Sequence, residues 1–131
     1  MRSPTVRDQT LGRVGKDYLK AIHELQVSAG KATTSAVAVQ LGVSDPSVSR
    51  MVKKLAALGL LTHTPYHGAK LTPAGEVLAR RIVHRRELIA QYLIAFLDYP
   101  AGEAGAEADR LEPVISDKLE ARITALLRDS T

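Results

Sequence analysis

From Val14 onward, the apolar residues Tyr18, Leu19, Ile22 and Leu25 recur at helical spacing until Gly30 interrupts them, which predicts a helix over residues 14–29. Thr34 or Ser35 is placed to cap a short second helix bearing Val37, Ala38 and Leu41, and Gly42 can supply the positive φ that ends it. A third helix starts three residues later. Ser44 or Asp45 caps it, Pro46 falls in the first turn, and Val48, Met51, Val52, Leu55 and Leu58 form one apolar stripe that stops at Gly59. The opposite face is polar: Ser47, Ser49, Arg50, Lys53 and Lys54.

Alternation over 61–64, turn residues Pro65 to Gly68 and a second short run over 69–72 predict a hairpin. Thr72 and Pro73 open a long helix that reaches about Leu97 through Ile82, Val83, Leu88, Ile89, Tyr92 and Leu93. Pro100, Gly102 and Gly105 are expected to loosen the chain ahead of a short acidic helix over 106–111, which Pro113 closes. Ser116 or Asp117 then caps a last helix presenting Leu119, Ile123, Leu126 and Leu127. Residues 1–13 have no apolar period and carry Arg2, Arg7 and Arg13. They are read as a mobile basic arm, with Gly12 and Gly15 as a hinge.

Two short helices joined at a Gly turn, then a hairpin, describe a winged helix-turn-helix. The expected fold is mainly α: the arm over 1–13, the winged helix-turn-helix domain over 14–73, and an all-helical dimerisation domain over 74–131. Ala38 is small enough to sit where the two short helices cross, with Val37, Leu41, Val43, Val48 and Met51 as their shared core.

Composition narrows the function. The 131 residues include no Cys, which excludes disulfides, thiolate metal sites and cysteine nucleophiles. Neither an apolar run of the ~20 residues that a membrane span requires nor a signal-peptide block is visible, so a soluble cytoplasmic protein is expected. The net charge of +4 is unevenly spread. Residues 1–90 carry 14 Lys/Arg against 6 Asp/Glu, and residues 91–131 carry 4 against 8. A basic surplus on the helix-turn-helix side suits a polyanion.

If the helix beginning at Pro46 enters a major groove, its N-terminal end leads. Ser44, Ser47 and Ser49 can then reach phosphates or base edges. Arg50 is the candidate base reader, because a guanidinium can donate two hydrogen bonds to guanine N7 and O6. Lys53 and Lys54 are placed for phosphates, and Tyr66, His67 and Lys70 in the hairpin tip for the neighbouring backbone. One such domain reads only a few base pairs, so a homodimer on double-stranded DNA is expected. Leu88, Tyr92, Leu93, Ile123, Leu126 and Leu127 are the candidates for the interface. No nucleophile elbow, phosphate loop or HExxH pair supports an enzyme.

The segments DYLKAIHEL (from Asp17), LGVSDPSVSRMVKKLAALGLL (from Leu41), LTPAGEVLARRIVHRREL (from Leu71) and RLEPVISDKLEARI (from Arg110) resemble the diphtheria toxin repressor family of metal-dependent regulators. The resemblance runs from Val14 to Leu127 and is to the short, manganese-regulator-like form without an SH3-like domain. It implies a winged helix domain with a helical dimerisation domain, a palindromic operator bound by a homodimer, and DNA contacts at Ser44, Pro46, Ser47, Ser49 and Arg50.

The resemblance also implies metal ligands on the first helix, the long helix and the acidic helix. Of that pattern this sequence keeps Asp17, Asp109 and Glu112. It carries Lys20 in place of an acidic ligand, Arg86 in place of a histidine, Ala90 in place of a glutamate, Pro113 in place of a histidine, and Gly105 where another histidine is common. A guanidinium cannot be deprotonated in a protein and opposes a metal. The expectation is a degenerate site in which Asp17, Asp109 and Glu112 form salt bridges with Arg86 and Lys20. The alternatives are a reduced site that binds Mn²⁺ or Fe²⁺ with water, and a winged-helix regulator sensing an organic ligand. His84 lies on another helix face, His63 is in the hairpin, and His23 is expected to be a packing histidine with its hydrogen bonds satisfied.

Overall fold

The structure is a computed structural model and describes residues 4–65 and 67–130, with backbone alone over residues 4–10. The order of elements is α1 (Pro4–Ala29), α2 (Thr34–Leu41), α3 (Asp45–Ala57), β1 (Leu61–Thr64), β2 (Gly68–Leu71), α4 (Pro73–Leu97), α5 (Ala101–Leu111) and α6 (Asp117–Asp129). The fold is mainly α, a winged helix-turn-helix followed by a helical region. The chain forms two compact units, residues 1–80 and 81–131, with the division inside α4.

α1 extends further than the apolar period indicates. Helix begins at Pro4, and Gly12, at φ 73° and ψ 174°, is the non-helical break between its two parts. Residues 4–11 are therefore helical rather than a structureless arm; residues 1–3 lie outside the described part. A helix N-terminal to a glycine break need not share the amphipathic period of the helix that follows it.

The core of the first unit gathers Leu19 and Ile22 of α1, Val37 and Ala38 of α2, Val48, Val52 and Leu55 of α3, and Leu60, Leu61 and Leu71 at the hairpin. Thr33, not Thr34 or Ser35, caps α2: its side chain accepts from the backbone N–H of Ala36 at 3.1 Å. Gly42 takes φ 68° and its N–H turns back to the carbonyls of Ala38 and Val39, which closes α2. Leu41 and Met51 are half-buried and Val43 is 38% exposed, so they border the core instead of forming it. Val52 and Leu55 fill that role because they sit with Val48 on the side of α3 that faces α1 and the hairpin.

β1 and β2 pair antiparallel in the register Leu61↔Leu71, Thr62↔Lys70, His63↔Ala69 and Thr64↔Gly68. The Ala69 N–H donates to Ala32 O at 2.9 Å, which ties β2 to the segment after α1. Thr72 caps α4 by accepting from Gly75 N–H at 3.1 Å, and its hydroxyl donates to Gly59 O at 2.7 Å.

In the second unit Ile89 and Leu93 of α4 pack on Ala104 and Ala108 of α5, with Tyr99, Leu111 and Ile115 at the edge. α5 starts at Ala101, so Gly102 and Gly105 lie inside a helix and do not loosen a loop. The burial of Ala104 and Ala108 against α4 outweighs the low helix propensity of two glycines. Ser116 caps α6 by accepting from Leu119 N–H at 3.1 Å.

Candidate nucleic-acid interface

The N-terminus of α3 carries an ordered polar chain. Ser44 is the N-cap and accepts from Ser47 N–H at 3.3 Å. Its hydroxyl donates to Ser47 Oγ at 2.9 Å, and Arg50 Nη2 donates to the same oxygen at 3.2 Å. The guanidinium is thus held beside the first turn of the helix. There the unpaired backbone N–H groups and the positive end of the helix dipole favour an anion. Of the serines, prolines and cations that the sequence nominates on this helix, Ser44, Pro46, Ser49, Arg50, Lys53 and Lys54 are exposed and Ser47 is half-buried.

The helical repeat puts Pro46, Arg50 and Lys53 opposite the Val48, Val52 and Leu55 stripe, so what anchors α3 also sets what it presents. Beside it, a cavity of about 320 Å³ is lined by Ser49, Val52, Lys53, Ala56 and His63. His63 lies in the hairpin, on β1. It borders the exposed face of α3 because β1 returns along that helix.

The hairpin adds a second basic surface. Lys31, His67 and Lys70, with Gln26, Gly30, Thr62, Thr64 and Ala69, line a groove of about 390 Å³. His67 and Lys70 are visible in the hairpin pattern, whereas Lys31 follows a helix-terminating glycine and is brought to the hairpin by the Ala32–Ala69 bridge. Tyr66 lies outside the described residues.

The hairpin is also braced from behind. Gln26 of α1 accepts from Leu71 N–H of β2 at 2.7 Å and donates to Glu76 of α4 at 3.1 Å. His23 departs from its expected role, since its Nδ1 is buried without a hydrogen bond, 3.5 Å from Glu76 Oε2. The helix period assigned it to an apolar stripe and could not anticipate a carboxylate from residue 76.

In the second unit, arginines hold the carboxylates of Asp109, Asp117, Glu120 and Glu107. Arg86 Nε donates to Asp109 Oδ1 at 2.6 Å. Arg85, 4% exposed, donates to Glu120 at 2.6 Å and to Asp117 at 2.7 Å, and Arg81 reaches Asp117 at 3.2 Å. Arg110 contacts Glu107 at 2.6 Å, and the Tyr99 hydroxyl donates to the other oxygen of Glu107 at 3.0 Å. The hydrogen bond from Arg110, then that from Tyr99, keeps Glu107 below the usual carboxylate range. The bond to Glu107 and the charge of Glu107 raise the Tyr99 phenol above its ordinary value.

Of the nominated metal residues, Asp109 is on α5 in this unit and Glu112 is the C-cap of that helix. Asp17 and Lys20 are on α1 in the other, Asp17 exposed and Lys20 half-buried. Within each unit, the described residues include no group of three His, Cys, Asp or Glu side chains gathered to hold an ion.

Two sequence profiles of one family match the chain almost end to end: the iron dependent repressor N-terminal DNA binding domain over residues 10–69, and the iron dependent repressor metal binding and dimerisation domain over residues 72–131. The chain belongs to the iron-dependent repressor family. It is 38% identical over 78 residues to the transcriptional regulator MntR of Salmonella typhimurium, covering 60% of this chain and 50% of that protein. It is 29% identical over 112 residues to the diphtheria toxin repressor of Corynebacterium diphtheriae, covering 86% and 50%. Among solved structures, the metal-dependent transcriptional regulator MtsR superposes with a TM-score of 0.79 at 33% identity, covering 91% of this chain and 54% of that one. The chain therefore spans about half the length of these relatives.

Apolar surface in the second unit gathers at the end of α4 and on α6. Ile94, Phe96 and Leu97 are 40–53% exposed, Phe96 stacks on Tyr92 with ring centroids 5.5 Å apart, and Leu119 and Leu126 are open on α6. Leu93 and Ile123, expected at an interface, are buried within the unit, whereas Leu88, Tyr92 and Leu127 remain half-exposed. A 3.6-residue period identifies the apolar face of a helix but not how much of that face its own chain covers.

Proposed function

We propose that this protein is a sequence-specific, DNA-binding transcriptional regulator that acts as a repressor in the cytoplasm and binds a palindromic operator as a homodimer. The observation that carries the reading is the Ser44–Ser47–Arg50 chain at the leading end of an otherwise well-anchored α3. Arg50 is poised to exchange its serine acceptor for guanine N7 and O6, a trade that costs little reorganisation. Lys53 and Lys54 neutralise phosphates along the groove, and the hairpin's Lys31, His67 and Lys70 do so on the flanking backbone. The family profile over residues 10–69, described as a DNA binding domain, supports this assignment.

A second copy supplies the second half-site. Support comes from the profile over residues 72–131, described as a dimerisation domain, and from the exposed Ile94, Phe96, Leu97 and Leu126. Large apolar side chains left exposed on a unit described as a dimerisation domain suit an association surface. No helix among the described residues is long and apolar enough to cross a membrane, and the reading assigns no catalysis.

The test is selection of bound fragments from random and genomic duplex DNA, with sedimentation of the protein alone and with the selected duplex. The expected result is an inverted repeat bound by two copies. No enrichment over random competitor, with or without added metal, would overturn the reading.

A further inference from the structure

The family profile over residues 72–131 carries the description metal binding, and a related solved structure is a manganese-dependent repressor in complex with manganese, 38% identical over 86% of this chain. The donor set of this unit does not fit such an ion. Divalent cations of the manganese and iron type need several anionic or neutral donors turned to one point. Here Asp109, Asp117, Glu120 and Glu107 each face a guanidinium at 2.6–2.7 Å. The histidine of the unit, His84, is exposed two residues before Arg86, on a different face of α4.

Arg86 is seated, not incidental. It crosses from α4 to α5 with Nε on Asp109 Oδ1, and its Nη2 lies over Gly105, where a Cβ would come within 2.9 Å. Gly105 and Asp109 are one turn apart on α5, so the helix offers both the opening for the guanidinium and the carboxylate that receives it.

We propose that Arg86 supplies, from within the chain, the positive charge that a divalent cation supplies in metal-dependent relatives. The α4–α5 joint is thereby closed at all times, and DNA recognition is not gated by Mn²⁺ or Fe²⁺. The last clause rests on the DNA-binding reading above. The substitution of charge does not.

The experiment uses the full chain, stripped with chelator and dialysed. Calorimetric titration with Mn²⁺, Co²⁺ and Zn²⁺ is expected to give no saturable heat, and none of the three should shift the Tm. Arg86→Ala is expected to lower the Tm by a few degrees, and Asp109→Asn by a similar amount, because each removes one side of the same pair. Adding the two changes together should cost no more than either alone. If Arg86→Ala does not fold, Arg86→Lys, which keeps the charge without the fork of donors, is compared with Asp109→Asn in the same way.

Saturable micromolar binding of metal to the unaltered chain with a rise in Tm would overturn the proposal. So would variants that melt like the parent. These readouts contain no DNA, so a failure of the DNA reading leaves them intact. Selected duplex bound equally with chelator and with Mn²⁺ supports both readings, and duplex bound only with Mn²⁺ overturns this one while preserving the other.

Discussion

Arg86 and Gly105 are matched across the α4–α5 joint: the guanidinium Nη2 occupies the space a Cβ at 105 would enter, at 2.9 Å. Glycine within a helix costs roughly 1 kcal/mol relative to alanine, and here that cost has a local counterpart in the ion pair it admits. Two residues 19 positions apart along the chain are thus one structural feature.

Gly105→Ala measures the match. In the parent chain the helix gain of about 1 kcal/mol is offset by displacement of the Arg86 head, so urea denaturation should register a change near zero. In an Arg86→Ala background nothing opposes the added methyl group and the full gain should appear. Equal effects in the two backgrounds would show that the residues act independently.

Arg50 and Lys53 divide the recognition of DNA. Arg50→Ala should remove about 1–3 kcal/mol of discrimination at one base pair of each half-site while leaving binding to random duplex nearly unchanged. Lys53→Ala should weaken all duplexes alike and lower the slope of log K against log salt by about 1 per protomer. Filter binding or anisotropy across a salt series on selected and random duplexes separates the two patterns. Equal losses on both duplexes for both variants would refute the assignment.

Gln26 is the brace of the hairpin, since it accepts from Leu71 N–H at 2.7 Å and donates to Glu76 at 3.1 Å. Gln26→Ala leaves the Leu71 amide without its acceptor and should cost about 1–3 kcal/mol. Amide exchange at Leu71 should accelerate more than at Leu55, which is buried in the core away from this bond. Gln26→Glu keeps an acceptor but sets a second carboxylate against Glu76, so its deficit should shrink as pH falls through the carboxylate range. Unchanged exchange at Leu71 in both variants would remove the bracing role.

Tyr99 and Glu107 give the second unit a two-sided pH dependence. Glu107 is held below its unfolded value, so its contribution is present above the ordinary carboxylate range and is lost as pH falls through the folded-state value. Tyr99 is held above its unfolded value. Its contribution is complete below the ordinary phenol range and is lost as pH rises through the raised value. Tyr99→Phe should abolish the alkaline loss and narrow the acid one, as read from the Tm between acid and alkaline buffers. Parallel pH profiles for parent and variant would contradict this.

Much of the first unit could be read locally. The caps at Ser44 and Thr72, the turn at Gly42 and the strand over 61–64 each depend on residues within one turn or one pleat of each other, and the structure has them there. Local pattern does not decide where two signals compete within a few residues. Thr33 caps α2 although Thr34 and Ser35 are equally suitable by type, and α5 runs through Gly102 and Gly105 because burial against α4 compensates for them. His23 and Gln26 fall within a readable helix, yet their partner Glu76 and the Leu71 amide come from about 50 residues away.

What the amino-acid order determined by itself was the succession of elements, the small Ala38 buried on α2, the polar and basic outer face of α3 and the family to which the chain belongs. All of these are properties of spacing along one segment or of its residue types. Tertiary structure alone decided which cation meets which carboxylate: Arg86 with Asp109 over Gly105, and Arg85 with both Asp117 and Glu120. It also decided that Leu93 and Ile123 are spent inside the unit while Phe96 and Leu126 stay open. The reason is geometric. A helical period states the direction of a side chain about its own axis, but the atom it reaches depends on the distance and crossing of a second helix, and these follow from the packing of the whole unit.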